Sequence, residues 1–174
     1  TTNWTDQAAS RDRGRCDNAR MRSAILVLLV VSVSAQAPPP AREWAQWRGP
    51  NRDGVVPASL VPSQWPASFR PAWRVEVGEG YSSPVVATGR VFVHSRQDPS
   101  EIVTAIDLET GKTVWTQKYD AAYQKNQYAV RMGKGPNATP LVTGGRVFTL
   151  GATGILNAWD AASGKKLWEQ NYTK

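Results

Sequence analysis

Two stretches of the chain repeat the same order of apolar runs and glycine turns. Residues 83–93 and residues 139–149 each contain an apolar run, a turn with glycine and a second apolar run. Short β-branched runs joined in this way are typical of β-hairpins, because glycine adopts positive φ without a Cβ clash. Each stretch therefore predicts a two-stranded antiparallel hairpin.

The segments that follow these hairpins also repeat. Residues 105–115 and 158–168 share the pattern Ala-x-Asp-x-x-Thr-Gly-Lys-x-x-Trp, with Ser163 in place of Thr in the second copy. The glycines of the two copies are 53 positions apart, whereas Pro84 and Pro140 are 56 apart. We expect the three extra residues between the second and third strands, as a longer turn at residues 98–100.

Each repeat thus predicts four antiparallel strands with a period near that of a β-propeller blade. Residues 71–78 resemble the fourth, outer strand of the repeats, and we expect them to form a lone outer strand that closes a ring. The predicted fold is all-β, with about two blades and one closing strand at residues 71–174 and an incomplete ring. Before it, residues 36–70 predict an extended Pro-rich arm. Residues 120–136 predict a long connection, either a short helix or an Ω-loop.

The aspartates and glycines of the repeat have a structural explanation. Asp107 and Asp160 end a strand, where the carboxylate can accept turn N–H groups. Gly111 and Gly164 supply the left-handed residue of the same turn. A catalytic or metal-binding role is disfavoured, because these residues recur in every copy and catalytic residues need not.

The N-terminal residues predict export. Residues 21–35 combine Met21, Arg22, an apolar run too short to span a bilayer, and small residues before Ala35, which is the pattern of a cleaved signal peptide. Residues 1–20 are predicted to be an upstream or non-native segment. We expect an extracytoplasmic protein, periplasmic or secreted, with no stable membrane span in the mature chain. The single cysteine, Cys16, precedes this signal, so the exported part has none for a disulfide framework.

Charge and motifs exclude several functions. The net charge is +7, of which the leader holds +3, and no run of Lys or Arg stands out in the rest. We therefore expect no nucleic-acid partner. His94, the only histidine, is interpreted as a structural residue at the end of a strand with no acidic cluster nearby. No nucleotide-binding, zinc-protease or nucleophile-elbow motif occurs, and no catalytic, cofactor-binding or metal-binding residue is predicted.

The repeated eleven-residue pattern resembles the tryptophan-docking motif of the pyrroloquinoline quinone (PQQ) repeat family. The resemblance covers roughly residues 44–174 and implies a quinoprotein-like or BamB-like propeller, here as an N-terminal fragment. It implies that the docking tryptophans pack between adjacent blades. The structural docking residues so identified are Ala105, Asp107, Gly111, Trp115, Ala158, Asp160, Gly164 and Trp168, with Trp73 by analogy.

The resemblance leaves three functional hypotheses. The leading one is a non-catalytic, BamB-like binding or assembly scaffold, whose partners include the remaining blades of the same chain and a protein or small-molecule ligand. The second is a PQQ- and Ca²⁺-dependent alcohol or sugar dehydrogenase, for which PQQ and calcium are implied only by the family. The third is a carbohydrate- or peptide-binding module that uses exposed Trp44, Tyr123 and Tyr128.

Overall fold

The chain forms two four-stranded antiparallel sheets. The computed structural model describes residues 43–129 and 133–173, so the predicted upstream segment and signal peptide lie outside the described residues. Strands β1 (Val85–Ala87), β2 (Arg90–Gln97), β3 (Ser100–Asp107) and β4 (Thr113–Asp120) form blade 1 in sequence order. Strands β5 (Leu141–Thr143), β6 (Arg146–Leu150), β7 (Ile155–Asp160) and β8 (Lys166–Asn171) form blade 2 in the same order. The prediction of all-β, four-stranded antiparallel blades is confirmed.

The first hairpin of each blade turns on two residues with positive φ. Thr88 and Gly89 have φ values of 51° and 71°, and Gly144 and Gly145 have values of 56° and 72°. Two consecutive left-handed residues match the right-handed twist of the strands, which is why this turn favours glycine. The hairpins predicted at residues 83–93 and 139–149 are confirmed.

The three extra residues of the first repeat do not lie in the turn between its second and third strands. Only Asp98 and Pro99 separate β2 from β3, whereas four residues, 151–154, separate β6 from β7. The additional residues instead lengthen both strands, because the ladder continues through the pairs Arg96–Glu101 and Gln97–Ser100. The predicted longer turn at residues 98–100 is wrong.

The N-terminal arm lies across the inner strands of both blades. Trp44 exchanges backbone hydrogen bonds with Val86 of β1 at 2.8 and 3.0 Å, and the carbonyl of Ala45 accepts one from Val142 of β5 at 2.8 Å. Beyond it, the described structure has a 3-10 turn at Ala58–Leu60 and no strand before β1. Another 3-10 turn, Gln127–Ala129, lies in the connection between the blades.

The outer strand predicted at residues 71–78 stays a prediction, because the further blade that it would complete is not among the described residues. These residues belong to neither sheet. The pairing nearest to them in sequence is a single bridge between Glu79 and Arg96. A strand needs a neighbour that satisfies its backbone N–H and C=O groups, and residues 71–78 form no ladder with either described sheet. The side chain of Trp73 is nevertheless held, as described below.

The buried core lies between the two blades. Its members come from both sheets and include Phe92, Trp115 and Tyr119 of blade 1 and Val147 and Trp159 of blade 2. Trp159 is only 1 % exposed. Because this cluster takes residues from both sheets, the blades stabilise each other. A second, smaller cluster lies in blade 1 and packs against Trp73, Val75 and Val77. No helix within residues 43–129 or 133–173 is long and apolar enough to cross a membrane.

Candidate functional site

The turn that follows the third strand has the same geometry in both blades. Asp107 accepts hydrogen bonds from the backbone N–H and the hydroxyl of Thr110, at 2.8 and 2.6 Å. Asp160 accepts the same two bonds from Ser163, at 2.8 and 2.6 Å. The substitution of Ser for Thr therefore preserves the interaction, because both residues carry the donating hydroxyl.

These hydrogen bonds also lower the pKa values of the two aspartates. The side-chain bond from Thr110, followed by its backbone bond, holds the pKa of Asp107 below its usual value. Ser163 lowers the pKa of Asp160 in the same way. Both carboxylates are thus kept ionised as turn acceptors.

A tryptophan ring covers the glycine of each turn. A Cβ added at Gly164 would lie 2.6 Å from the Trp115 ring, and one at Gly111 would lie 2.6 Å from Trp73. The φ values of the two glycines are 74° and 70°. Glycine is therefore required twice, for its left-handed backbone and for the space that the indole occupies.

The same tryptophans donate a hydrogen bond to the turn. Trp115 Nε1 donates to the carbonyl of Ala161 at 3.1 Å, and Trp73 Nε1 donates to the carbonyl of Leu108 at 2.9 Å. Each acceptor is the residue directly after the turn aspartate. Trp115 belongs to β4 of blade 1 and its acceptor to blade 2, so this contact joins neighbouring blades.

The motif alanines lie between two aromatic rings. In blade 1, Ala105 pairs with Phe92 on one side and Trp115 on the other, and the two rings are 5.9 Å apart. In blade 2, Ala158 pairs with Phe148 and Trp168, whose rings are 6.0 Å apart. A small residue lets the rings on the flanking strands meet above it.

Trp168 differs from Trp115 in its surroundings. Its side chain is 43 % exposed, against 8 % for Trp115, and no turn glycine among the described residues lies against it. The rings of Trp73 and Trp115 therefore each pack against the glycine of a turn. The ring of Trp168 contacts Phe148 of its own blade instead.

Two features of the repeat escaped the sequence analysis. Arg90 reaches across to the turn of blade 2, where its guanidinium donates to the carbonyls of Ala161 and Ala162 at 2.7 and 2.8 Å. A β-bulge follows Ala105 and Ala158 at the same position of each blade. The arginine had a signal in the sequence, because Arg146 occupies the matching position of the second repeat.

A group of polar side chains is buried within blade 1. The side chains of His94 and Glu101 are fully buried, and Tyr119 is 7 % exposed. Tyr119 donates its hydroxyl hydrogen to Glu101 Oε2 at 2.5 Å, and His94 Nε2 lies 3.0 Å from the Tyr119 oxygen. Because the hydroxyl hydrogen is used by Glu101, His94 Nε2 carries the proton that Tyr119 accepts.

The balance of burial and hydrogen bonding sets the protonation of this group. Burial alone would raise the pKa of Glu101, but the nearby His94 and the hydrogen bonds from Tyr119 and the backbone of Ala152 outweigh it and hold the pKa below its usual value. Burial, followed by the neighbouring Glu101 carboxylate, raises the pKa of Tyr119. Glu101 is therefore the anion and Tyr119 the neutral donor.

Glu101 also joins the two blades. Its Oε1 accepts the backbone N–H of Ala152 in blade 2 at 2.8 Å. On the other side, Arg96 Nη1 lies 3.8 Å from the same oxygen. A buried carboxylate that loses such partners is strongly destabilising, so this contact fixes the turn between β6 and β7 against blade 1.

The placement of His94 at the end of a strand is wrong, although the residue is buried within the sheet as a structural role requires. Strand β2 continues to Gln97, and its pairing with β3 brings Glu101 within 3.6 Å of His94. The missed signal was the presence of ionisable residues inside two otherwise apolar strands, where burial demands a partner.

The described residues do not form a calcium–quinone site on their own. Within residues 43–129 and 133–173, no three His, Cys, Asp or Glu side chains come together as a metal site. The turn aspartates are 53 positions apart and each is bonded to its own turn. Any calcium ligands that the family resemblance implies would therefore come from outside these ranges.

A known protein family matches the part of the chain that contains the two repeats. The family model described as outer membrane protein assembly factor BamB matches residues 66–174, which include both blades. The chain belongs to this BamB-like family of PQQ repeats. The resemblance recognised in residues 105–115 and 158–168 is thereby confirmed.

Individual relatives of this BamB-like chain include an assembly factor and a dehydrogenase. The outer membrane protein assembly factor BamB of Vibrio cholerae is 34 % identical over 94 residues, which are 54 % of this chain and 23 % of the relative. The 1-butanol dehydrogenase (cytochrome c) of Thauera butanivorans is 32 % identical over 90 residues, 52 % of this chain and 12 % of the relative. Among solved structures, a europium-containing methanol dehydrogenase has a TM-score of 0.41 and 26 % identity, over 59 % of this chain and 18 % of that one. The chain thus spans less than a quarter of the length of these relatives.

Proposed function

We propose that this protein is an extracytoplasmic, non-catalytic binding and assembly scaffold. The observation that carries the proposal is that the repeated residues are used to join blades. The turn aspartates bind their own turns, and the turn glycines receive Trp73 and Trp115. The family match over residues 66–174 and its description as an assembly factor support the same function.

The partner class follows from the family description. An outer membrane assembly factor acts on proteins destined for that membrane, so we infer an outer-membrane protein or a component of its assembly machinery as the partner. Exposed aromatic residues of the described surface, among them Trp47, Trp65 and Phe69 at 61–74 % exposure, are of the types that dominate protein-binding energies. The same relatives and the signal peptide predicted at residues 21–35 support the proposed extracytoplasmic location.

A quinoprotein dehydrogenase is the second candidate. It is favoured by the 32 % identity with a 1-butanol dehydrogenase. The described residues do not themselves fit a metal–quinone site, so this function requires ligands from elsewhere in the protein.

The third hypothesis, a module that binds sugar or peptide through exposed aromatics, loses part of its basis. Tyr128 is 89 % exposed, but Trp44 packs on Gly49 and Tyr123 donates a hydrogen bond to the carbonyl of Lys134. Of the three side chains that this hypothesis expects to be exposed, only Tyr128 is exposed and without such a contact in the described structure.

The proposed function is tested by deleting the gene in its source bacterium. The scaffold hypothesis predicts less folded outer-membrane β-barrel protein, measured by heat-modifiable mobility on gels, and recovery when the gene is restored. A matched strain carries the gene without residues 21–35, so that the protein stays inside the cell. Normal barrel levels in the deletion strain would contradict the proposal.

A further inference from the structure

A cleft of about 330 Å³ lies beside the connection between the blades. Its walls come from Tyr81, from Tyr123 and Lys125 after β4, and from Asn137 before β5. Ala152 of the turn between β6 and β7 also lines it. This volume is at the lower limit for small-molecule sites, so it suits a compact ligand with a single ring.

The Tyr81 wall is fixed by hydrogen bonds. The backbone N–H groups of Tyr81 and Ser82 both donate to the carbonyl of Pro136, at 2.9 and 3.0 Å. The Tyr81 hydroxyl oxygen accepts the N–H of Gly133 at 2.6 Å. These three bonds hold the ring against the opposite loop before any ligand arrives.

The Tyr123 wall is fixed as well. Its hydroxyl donates to the carbonyl of Lys134 at 2.9 Å, and the guanidinium of Arg96 lies 4.9 Å from its ring centroid. Arg96 is itself held by Asp98 at 2.6 Å. A site whose walls are held in this way loses little conformational entropy when it binds.

Among the described residues that line the cleft, Lys125 is the one with a charged side chain. Its ammonium donates to the carbonyl of Gly133 at 2.6 Å, which uses one of three N–H groups. The neighbouring Asp98 is already neutralised by Arg96 and Lys134, at 2.6 and 2.8 Å. The Glu79 carboxylate lies beside Gly133, where it accepts the N–H of Lys134 at 3.1 Å. Lys125 therefore supplies a positive charge in the lining and keeps two N–H groups for a ligand.

We propose that this cleft binds a small aromatic carboxylate. An aromatic ring suits the two tyrosine walls, because aromatic pairs gain energy beyond simple burial. A carboxylate suits the free N–H groups of Lys125, because hydrogen bonds between charged partners are the stronger class. The exposed amide of Asn137 can bond a further polar substituent. Nothing in the assembly function requires such a site, so the proposal stands apart from it.

The test is isothermal titration of the purified protein with three matched probes. The first is 4-hydroxybenzoate, the second is 4-hydroxybenzyl alcohol, which lacks the charge, and the third is cyclohexanecarboxylate, which lacks the aromatic ring. We expect 4-hydroxybenzoate to bind one to one with a Kd of about 0.1–1 mM, as its size allows. Each of the other two should bind at least about tenfold more weakly.

A matched pair of variants locates the site. Lys125→Gln should weaken 4-hydroxybenzoate at least about tenfold. Lys118→Gln removes the same charge from an exposed position of β4 outside the cleft, and it should change nothing. Absence of 4-hydroxybenzoate binding at about 10 mM, more than tenfold above the expected Kd, would overturn the proposal. Equal binding of all three probes, or equal loss in both variants, would also overturn it.

Discussion

Replacing Gly164 by alanine should loosen the contact between the blades more than the backbone cost of the change explains. The new Cβ would lie 2.6 Å from Trp115 Cδ2 and 2.8 Å from Cε3. An indole packed in the core cannot move aside as a flexible side chain would, so either the ring or the turn must shift.

The matched control is Gly89→Ala. Gly89 has φ of 71° against 74° for Gly164, but a Cβ there would meet no atom within 4 Å. Both changes cost about 1–2 kcal/mol for alanine in the left-handed region. Gly164→Ala should cost about 1–3 kcal/mol more, because it overpacks the site and displaces Trp115.

The assay is urea unfolding followed by tryptophan fluorescence, with the double variant Gly164→Ala/Trp115→Ala completing the cycle. In the Trp115→Ala background the added cost of Gly164→Ala should fall to that of Gly89→Ala. If Gly164→Ala and Gly89→Ala destabilise the protein equally, the packing explanation of the motif glycine is wrong.

Three further predictions concern the same contacts. Trp115→Ala should lower the free energy of unfolding by about 3–5 kcal/mol. Trp115→Phe should lower it by only about 1–2 kcal/mol, because an aromatic ring stays and mainly the hydrogen bond to the turn is lost. Equal losses in urea unfolding would contradict this. Ser163→Ala should cost about 0.5–1.5 kcal/mol and Ser163→Thr almost nothing, since only the first removes the donor to Asp160; calorimetry that ranks them the other way would refute the role of the hydroxyl. Because the folded pKa of Glu101 lies below its usual 4.5, its stabilisation is complete above that pH and is lost as the pH falls through the folded pKa. Glu101→Gln should therefore flatten the pH dependence of the unfolding midpoint below pH 4.5, and an unchanged slope would show that the carboxylate does not titrate there.

The repeat made the blades predictable. Four strands, their hairpins and the turn role of Asp107 follow from local chemistry, because a glycine turn between β-branched runs has few alternative structures. The motif tryptophans were identifiable for the same reason, since their spacing from Gly111 and Gly164 recurs.

Features that depend on strand pairing were not predictable. The length of β2 and β3 depends on how far the ladder extends, and this register also buries His94 beside Glu101. The outer strand predicted at residues 71–78 likewise depends on a partner strand, which neither described sheet supplies. The cleft beside Lys125 arises from three segments that are distant in sequence, so no local pattern indicates it.

The scaffold function is tested most directly by titrating the purified protein with PQQ in the presence of Ca²⁺. Binding is followed by quenching of tryptophan fluorescence, and catalysis by dye-linked oxidation of alcohols and sugars. We predict no saturable quenching up to tens of micromolar PQQ and no dye reduction. Stoichiometric binding of PQQ together with dye reduction would contradict the scaffold account and establish a quinoprotein dehydrogenase.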